Sequence, residues 1–223
     1  LAYPIGSMGL VQFCFSLLSF FVYHDKQIGV FFLPSIMMLS TASLLIFQSR
    51  NYDFSKVSPH ASLLFATLSW VVMGFLGAIP IIRVTQVSFT DGVFESISAL
   101  TTTGATILTG LDDMPKSFLM YRQFLQWLGG LGIVIFVVAV LPLLNVGGMK
   151  LLKAETPGPM KDEKLTPRVK HAARYLWYIY VGATFLCAVG YFIAGMSLHE
   201  AIAHSFTTIA TGGFSTHDTS IVF

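Results

Sequence analysis

Five stretches of this chain run for more than twenty residues without an Asp, Glu, Lys, Arg or His: Leu1–Tyr23, Gln27–Ser49, Ala61–Ile82, Gln123–Met149 and Tyr175–Leu198. A helix needs about 20 apolar residues to cross the hydrocarbon of a bilayer. Each stretch is long enough, so the chain reads as an all-α integral membrane protein. Composition agrees: charged residues make up 11% of the 223, and the mean hydropathy is +0.72, where soluble domains carry about 25% charged residues. A net charge of +2, with no arginine-rich or RNP-like motif, gives no case for a nucleic-acid partner. Cys14 and Cys187 each lie inside an apolar stretch and read as small core residues rather than a redox pair. Leu1 follows no basic n-region or cleavage site, so no signal peptide is expected. Pro4, Pro34, Pro80 and Pro142 are expected near helix ends or kinks, which membrane helices tolerate.

Orientation follows from the basic residues. Between Lys150 and Arg174 stand Lys150, Lys153, Lys161, Lys164, Arg168, Lys170 and Arg174, against Glu155, Asp162 and Glu163. The positive-inside rule makes this loop cytoplasmic, although the same charges also suit an ordinary solvated loop. Counting helices backwards puts Arg50 and Lys56 on the same side. Residues 83–122 then face outward, and they hold Asp91, Glu95, Asp112 and Asp113.

That outward region is not a plain loop. "DGVFESISAL" (Asp91–Leu100) is amphipathic but only about half a membrane long; "TTTGAT" follows, and "LDDMPKS" leads back out. Threonines lose side-chain freedom in a helix and glycine weakens it further. The pattern predicts a half-helix over Gly92–Leu100 that dips in from one face, followed by non-helical backbone. Such backbone is tolerated at membrane depth only when buried in protein or lining water. The layout recurs: "EAIAHSFTTIATGGFS" (Glu200–Ser215) lies on Asp91–Thr106 at an offset of 109 residues, with Ser205 on Ser96, Thr211 on Thr102 and Gly213 on Gly104. Its half-helix is expected over Ala201–Ile209. Internal repeats of this kind mark transport proteins.

The chemistry of "TTTGAT" and "ATGGFS" suits a dehydrated cation. Backbone carbonyls can replace an ion's hydration shell if consecutive oxygens turn toward one axis. Glycine supplies the unusual dihedrals that this requires, and small hydroxyl residues leave the lumen open. The preceding half-helices aim the negative ends of their dipoles at the cation. Threonine and glycine also mediate close helix packing in membranes, and the repeat together with the re-entrant length favours the filter. Glu95 is expected either to focus cations or to hold its loop by hydrogen bonding. His199, His204 and His217 lack a matching carboxylate or thiolate set for a metal, and His199 and His204 read as loop and helix-end residues. No nucleophile–base pair, P-loop or dinucleotide fingerprint points to an enzyme.

"SALTTTGAT", "RQFLQWLGGLGIVIF", "GGMKLLKAETPGPMKDEKLTPRV" and "IATGGFST" together resemble the Trk/Ktr/HKT superfamily of potassium-translocating subunits, most closely the bacterial Trk type. The resemblance implies helix–pore loop–helix repeats like those of potassium channels, preceded by two extra transmembrane helices. Residues 1–50 correspond to those accessory helices, 57–149 to a first repeat, 150–174 to a cytoplasmic loop and 175–223 to the first helix and pore loop of a second repeat. It implies a selectivity filter of Thr101, Thr102, Thr103 and Gly104 with Ala210, Thr211, Gly212 and Gly213, binding potassium through the backbone carbonyls of Thr102, Thr103, Thr211 and Gly212. It further implies potassium as the transported ion, no organic cofactor, a homodimer in the bacterial inner membrane, and a cytosolic TrkA-like nucleotide-binding ring that gates the pore, with residues 150–174 as part of the contact. Four loops make a pore in this family and two are present, so the chain is expected to be the N-terminal half of a longer subunit. The function expected is potassium uptake. A sodium-permeable or sodium-coupled transporter and a non-conducting membrane scaffold or sensor are the competing readings.

Overall fold

A computed structural model describes residues 1–50, 59–140 and 165–220. The described residues form seven α-helices and no strand: α1 (Ala2–Leu18), α2 (Ile28–Gln48), α3 (Pro59–Thr85), α4 (Phe89–Leu100), α5 (Lys116–Val140), α6 (Leu165–Ile193) and α7 (Leu198–Ile209). A π-helical turn, Ser19–Tyr23, extends α1. Four of the described helices are long and apolar enough to cross a membrane, spanning Ala2–Tyr23, Ile28–Gln48, Leu64–Thr85 and Arg174–Ile193. Their outer faces carry Phe20, Phe21, Leu33, Met37, Phe47, Leu64, Phe185 and Ile193, all exposed. A surface this apolar suits lipid or further apolar helices rather than water.

The fifth expected span, Gln123–Met149, is covered by α5 as far as Val140; Pro142 and the remainder, like most of the basic 150–174 segment, lie outside the described residues. Two starts differ from the sequence reading. Helix α5 begins at Lys116, seven residues early, because Arg122 ends an apolar count but does not end a helix. Helix α6 begins at Leu165, so Arg168, Lys170 and Arg174 are helical rather than part of a loop. Arginine, lysine and alanine are strong helix formers, and a helix can run past the hydrocarbon it crosses. Cys14 is exposed and Cys187 half-exposed, both as free thiols, so neither is a core residue.

The core forms where α1 lies against α3 and α5. Met8, Phe15, Phe31, Ile81, Leu100, Phe118, Tyr121 and Leu125 are buried there, and Tyr121 meets Phe15 and Phe31 edge-on at 5.3 Å. Pro80, inside α3, has no N–H to give the Leu76 carbonyl. The buried Gln12 supplies the missing donor from α1, through Nε2 at 3.0 Å. The accessory pair thus repairs the proline break in the helix it packs against, as a membrane interior requires.

On one face of the bundle, the turn after α1 meets the starts of α5 and α7. Asp25 accepts from the Ser117 N–H at 3.0 Å, and the Tyr23 hydroxyl pairs with His199 Nδ1 at 2.9 Å.

Candidate functional site

Each half-helix begins with a cap. Ser88 accepts from the Asp91 N–H, and Ser197 from the Glu200 N–H, with the Glu200 carboxylate returning to the Ser197 N–H as a full capping box. The two serines are again 109 residues apart. Caps of this kind place the helix starts three residues before the expected Gly92 and Ala201. Twelve residues span about 18 Å, well short of a hydrocarbon core of about 30 Å.

The exits match as closely. The Thr102 N–H donates to the Ala99 carbonyl at 3.0 Å and the Thr103 N–H to Ser98 at 2.9 Å; in the second copy Thr211 donates to Thr208 at 3.0 Å and Gly212 to Thr207 at 2.8 Å. This crossed pair is the Schellman ending of a helix, which needs a left-handed residue just past the cap. Thr102 (φ 55°) and Thr211 (φ 56°) occupy that position, and Gly104 (φ 76°) and Gly213 (φ 86°) follow two residues later. The sequence reading reserved such dihedrals for glycine. A β-branched residue there is an outlier, costing about 1–2 kcal/mol, and it persists only where the surroundings over-determine it.

The two loops touch. The Gly212 carbonyl oxygen approaches Gly104 so closely that a Cβ there would lie 1.8 Å from it. A Cβ at Gly213, by contrast, meets nothing within 4 Å. Of the expected site residues, Thr101 through Gly104 and Ala210 through Gly213 therefore form two matching backbone segments, brought together at Gly104 and Gly212. The hydroxyls of Thr101 and Thr103 pair with each other at 2.8 Å.

Behind the loops, side chains tie each half-helix to the irregular segment leaving it. Glu95 is fully buried and accepts from the Thr106 hydroxyl and the Ile107 N–H, both at 2.6 Å. It holds its loop, which decides between the two roles expected for it. In the second copy the same two positions are His204 and Ser215, joined Nε2 to Oγ at 3.2 Å. His204 is likewise fully buried in the middle of α7, not at a helix end.

Helix α5 stands between the copies and serves both. Arg122 pairs with Glu95 at 3.1 Å, both side chains at 1% exposure or less, and donates to Thr106 at 3.0 Å. Its guanidinium lies 4.3 Å from the centre of the Phe214 ring in the second loop. One turn on, Gln126 Oε1 accepts from the Thr207 hydroxyl at 2.5 Å and from the Phe214 N–H at 3.2 Å. Gly129 lets α5 approach α4, since a Cβ there would sit 1.9 Å from the Leu100 carbonyl oxygen. The sequence reading named neither Arg122 nor Gln126 as a site residue. The available signal was a polar i, i+4 pair opening an apolar run.

At the rim, Asp218 accepts from the Gly110 and Leu111 N–H groups at 2.9 and 3.2 Å. His217 sits between two carboxylates, paired through Nδ1 with Asp112 and through Nε2 with Glu200 at 2.9 Å. Hydrogen bonds to Asp112 and Glu200 raise the imidazole above its ordinary value. The same partner lowers Asp112, and hydrogen bonds from His217 and Ser197 bring Glu200 down to about 2.

Paired re-entrant half-helices with glycine-threonine exits, set among membrane-length helices, define a class: multi-pass membrane transport proteins built from pore-loop repeats. The family model for TrkH, a cation transport protein, matches residues 27–223, and the chain belongs to that family. It is 46% identical to the Trk system potassium uptake protein TrkH of Vibrio parahaemolyticus, over 90% of this chain and 41% of the relative. Identity to TrkH of Escherichia coli is also 46%, over 90% and 42%. TrkG of E. coli, likewise named a Trk system potassium uptake protein, is 37% identical over 89% and 41%. The crystal structure of the potassium transporter TrkH from V. parahaemolyticus superposes with a TM-score of 0.82 at 39% identity, covering 99% of this chain and 44% of that one. The chain spans less than half the length of the relatives it matches.

Proposed function

We propose that this chain forms part of a subunit that takes potassium up across the bacterial inner membrane. The ion sheds water onto the backbone carbonyls of Thr102, Thr103, Thr211 and Gly212, with Thr101, Gly104, Ala210 and Gly213 completing the two filter segments. Residues 57–149 make one helix–pore loop–helix repeat, 175–223 begin the next, and 1–50 brace the first. A cytosolic TrkA-like nucleotide-binding ring gates the pore from the side of residues 150–174, and two subunits pair in the membrane.

One observation supports the reading: the two loops repeat the same backbone hydrogen bonds at their helix exits and meet backbone to backbone at Gly104 and Gly212. The open side of Gly213 leaves room for a further loop to approach as Gly212 approaches Gly104. Two half-helix C-termini point their partial negative charge toward this meeting place. The names of the relatives support potassium as the ion.

The test is rescue of growth at low potassium in a bacterium that lacks its own uptake systems, using the complete subunit. Growth with wild type and none with Gly104→Ala, at equal membrane insertion, is expected. Rescue by sodium-coupled uptake alone favours the sodium-permeable relative. No rescue despite insertion refutes transport.

A further inference from the structure

A cavity of about 530 Å3 lies between α1, α5 and α7, outside the two loops. Val11, Leu18, Met120, Phe124, Ile202 and Phe206 line it, and every lining side chain is apolar or sulfur-bearing except Tyr23 and His199 at one end. Along α1 the lining runs from Leu10 to Val22, about 18 Å at 1.5 Å per residue. That is close to one leaflet of a hydrocarbon core about 30 Å thick. Leu10, Val22 and Leu198 at its edges are exposed, so the groove opens sideways on the apolar flank of the described helices. Apolar space of this kind takes apolar occupants rather than water.

The end of the groove is polar, and the Lys116 charge lies near its His199. Tyr23 and His199 close it with their 2.9 Å hydrogen bond. Lys116 stands one turn from Met120 on the same face of α5; it is exposed and makes no salt bridge among the described residues. Burial first, and then the nearby Lys116 charge, bring the His199 imidazole down to about 4, so His199 is neutral there. The carboxylates next to Tyr23 and His199 in the chain, Asp25 and Glu200, are already engaged. Asp25 accepts from Ser19, Gln27 and Ser117, and Glu200 accepts from Ser197 and pairs with His217. Lys116, with the exposed Lys26 in the turn that packs on it through Asp25 and Ser117, supplies positive charge at this end.

We propose that this groove seats one acyl chain of a glycerophospholipid whose phosphate meets Lys116. An apolar slot of leaflet depth with ammonium charge beside its polar end has the shape and polarity of a phospholipid from that leaflet. The tail contacts Ile202 and Phe206 on α7, whose far end carries the second filter segment, so lipid occupancy bears on the position of that loop. The proposal rests on the groove and stands apart from the ion-filter reading.

Cys14 lines the groove and is exposed, which makes it a reporter. The experiment follows maleimide labelling of Cys14 in the purified complete subunit in alkyl-maltoside micelles, titrated with phosphatidylglycerol or with more detergent, alongside native mass spectrometry. Phosphatidylglycerol is expected to slow labelling about tenfold and detergent to leave it unchanged. Lys116→Gln is expected to raise the half-protecting lipid concentration about tenfold, equivalent to one good charged contact. Ile202→Trp, which fills the slot, is expected to lose one bound lipid in the mass spectrum. Equal labelling with and without lipid overturns the proposal, as does a Cys14 that is unreactive from the outset because another segment or a second copy covers it. Protection by detergent equal to that by lipid, or an unshifted Lys116→Gln titration, overturns the phosphate contact. Because Lys116→Gln alters only an exposed side chain, the test survives if Ile202→Trp fails to fold.

Discussion

Breaking the Arg122–Glu95 pair should reveal how much of the first loop depends on α5. Both side chains are buried, and removing one member of such a pair costs about 3–5 kcal/mol because the other charge is left without its partner. The two ends are not equivalent. After Arg122→Met, Glu95 keeps the Thr106 hydroxyl and the Ile107 N–H, so the loss belongs at about 3 kcal/mol. After Glu95→Gln, the guanidinium keeps its place over Phe214 and its contact with Thr106, but Nε and Nη1 have no hydrogen-bond partner among the described residues. That loss belongs at about 5 kcal/mol. Independent effects would sum to about 8 kcal/mol in the double variant, whereas a neutral pair leaves no buried charge unpaired and should cost no more than Arg122→Met alone. Thermal unfolding of the complete subunit in micelles should therefore rank wild type, then the double variant near Arg122→Met, then Glu95→Gln. Potassium-over-sodium uptake, measured on whatever inserts, should fall in both single variants. A double variant that melts at the sum of the two single shifts would refute the coupling.

Gly129→Ala should separate α5 from α4, because its Cβ meets the Leu100 backbone rather than a movable side chain; thermal unfolding should drop by several degrees, while Gly182→Ala, with nothing within 4 Å, should not change it. Gln126→Leu should loosen the second loop and leave the first intact, read as faster amide exchange at Phe214 but not at Ile107. The rim contact of His217 should depend on pH. Its imidazole is raised above 6.5 in the folded protein, so its stabilisation is complete below 6.5 and is lost as pH rises through the raised value. Glu200 is depressed from 4.5 to about 2, so its share is complete above 4.5 and is lost as pH falls toward 2. Protection of the Gly110 and Leu111 amides, taken relative to their intrinsic exchange rates at each pH, should be greatest between about pH 4.5 and 6.5 and should lose that maximum in His217→Gln; an unchanged protection profile in the variant would remove His217 from the latch.

Apolar length was legible wherever the lipid alone decides a boundary. Helix α2 was expected over Gln27–Ser49 and runs Ile28–Gln48, since both ends are set by the edge of the hydrocarbon. It failed at α5, where Arg122 is neutralised by Glu95 across the fold, a partner 27 residues distant that no local window sees. The half-helix starts were readable in principle from Ser88 and Ser197, each with an acid three residues on. Positive φ at Gly104 and Gly213 follows from residue type. Positive φ at Thr102 and Thr211 runs against residue type, and only the crossed hydrogen bonds of a helix ending in both copies explain it. The burial of His204 was hidden for a related reason: its hydrogen-bond partner, Ser215, returns beside it only once the loop has folded back.

Comparing the two copies separates what the fold preserves from what it lets vary. Caps at Ser88 and Ser197, crossed exits at Thr102–Thr103 and Thr211–Gly212, and positive φ at both glycines are the same to within a few tenths of an ångström or about ten degrees. The struts behind them are not. Glu95 with Thr106 is replaced by His204 with Ser215, an anion by an imidazole, and Gly212 stands in the second copy where Thr103 stands in the first. Side-chain ligands would need matched side chains in both copies, whereas main-chain ligands need only a matched main chain. Of the three filter threonines in the first copy only Thr102 has a threonine, Thr211, at the same place in the second, whereas the main chain is matched throughout the exits, which favours carbonyl oxygens over threonine hydroxyls as the ligands proposed for the ion.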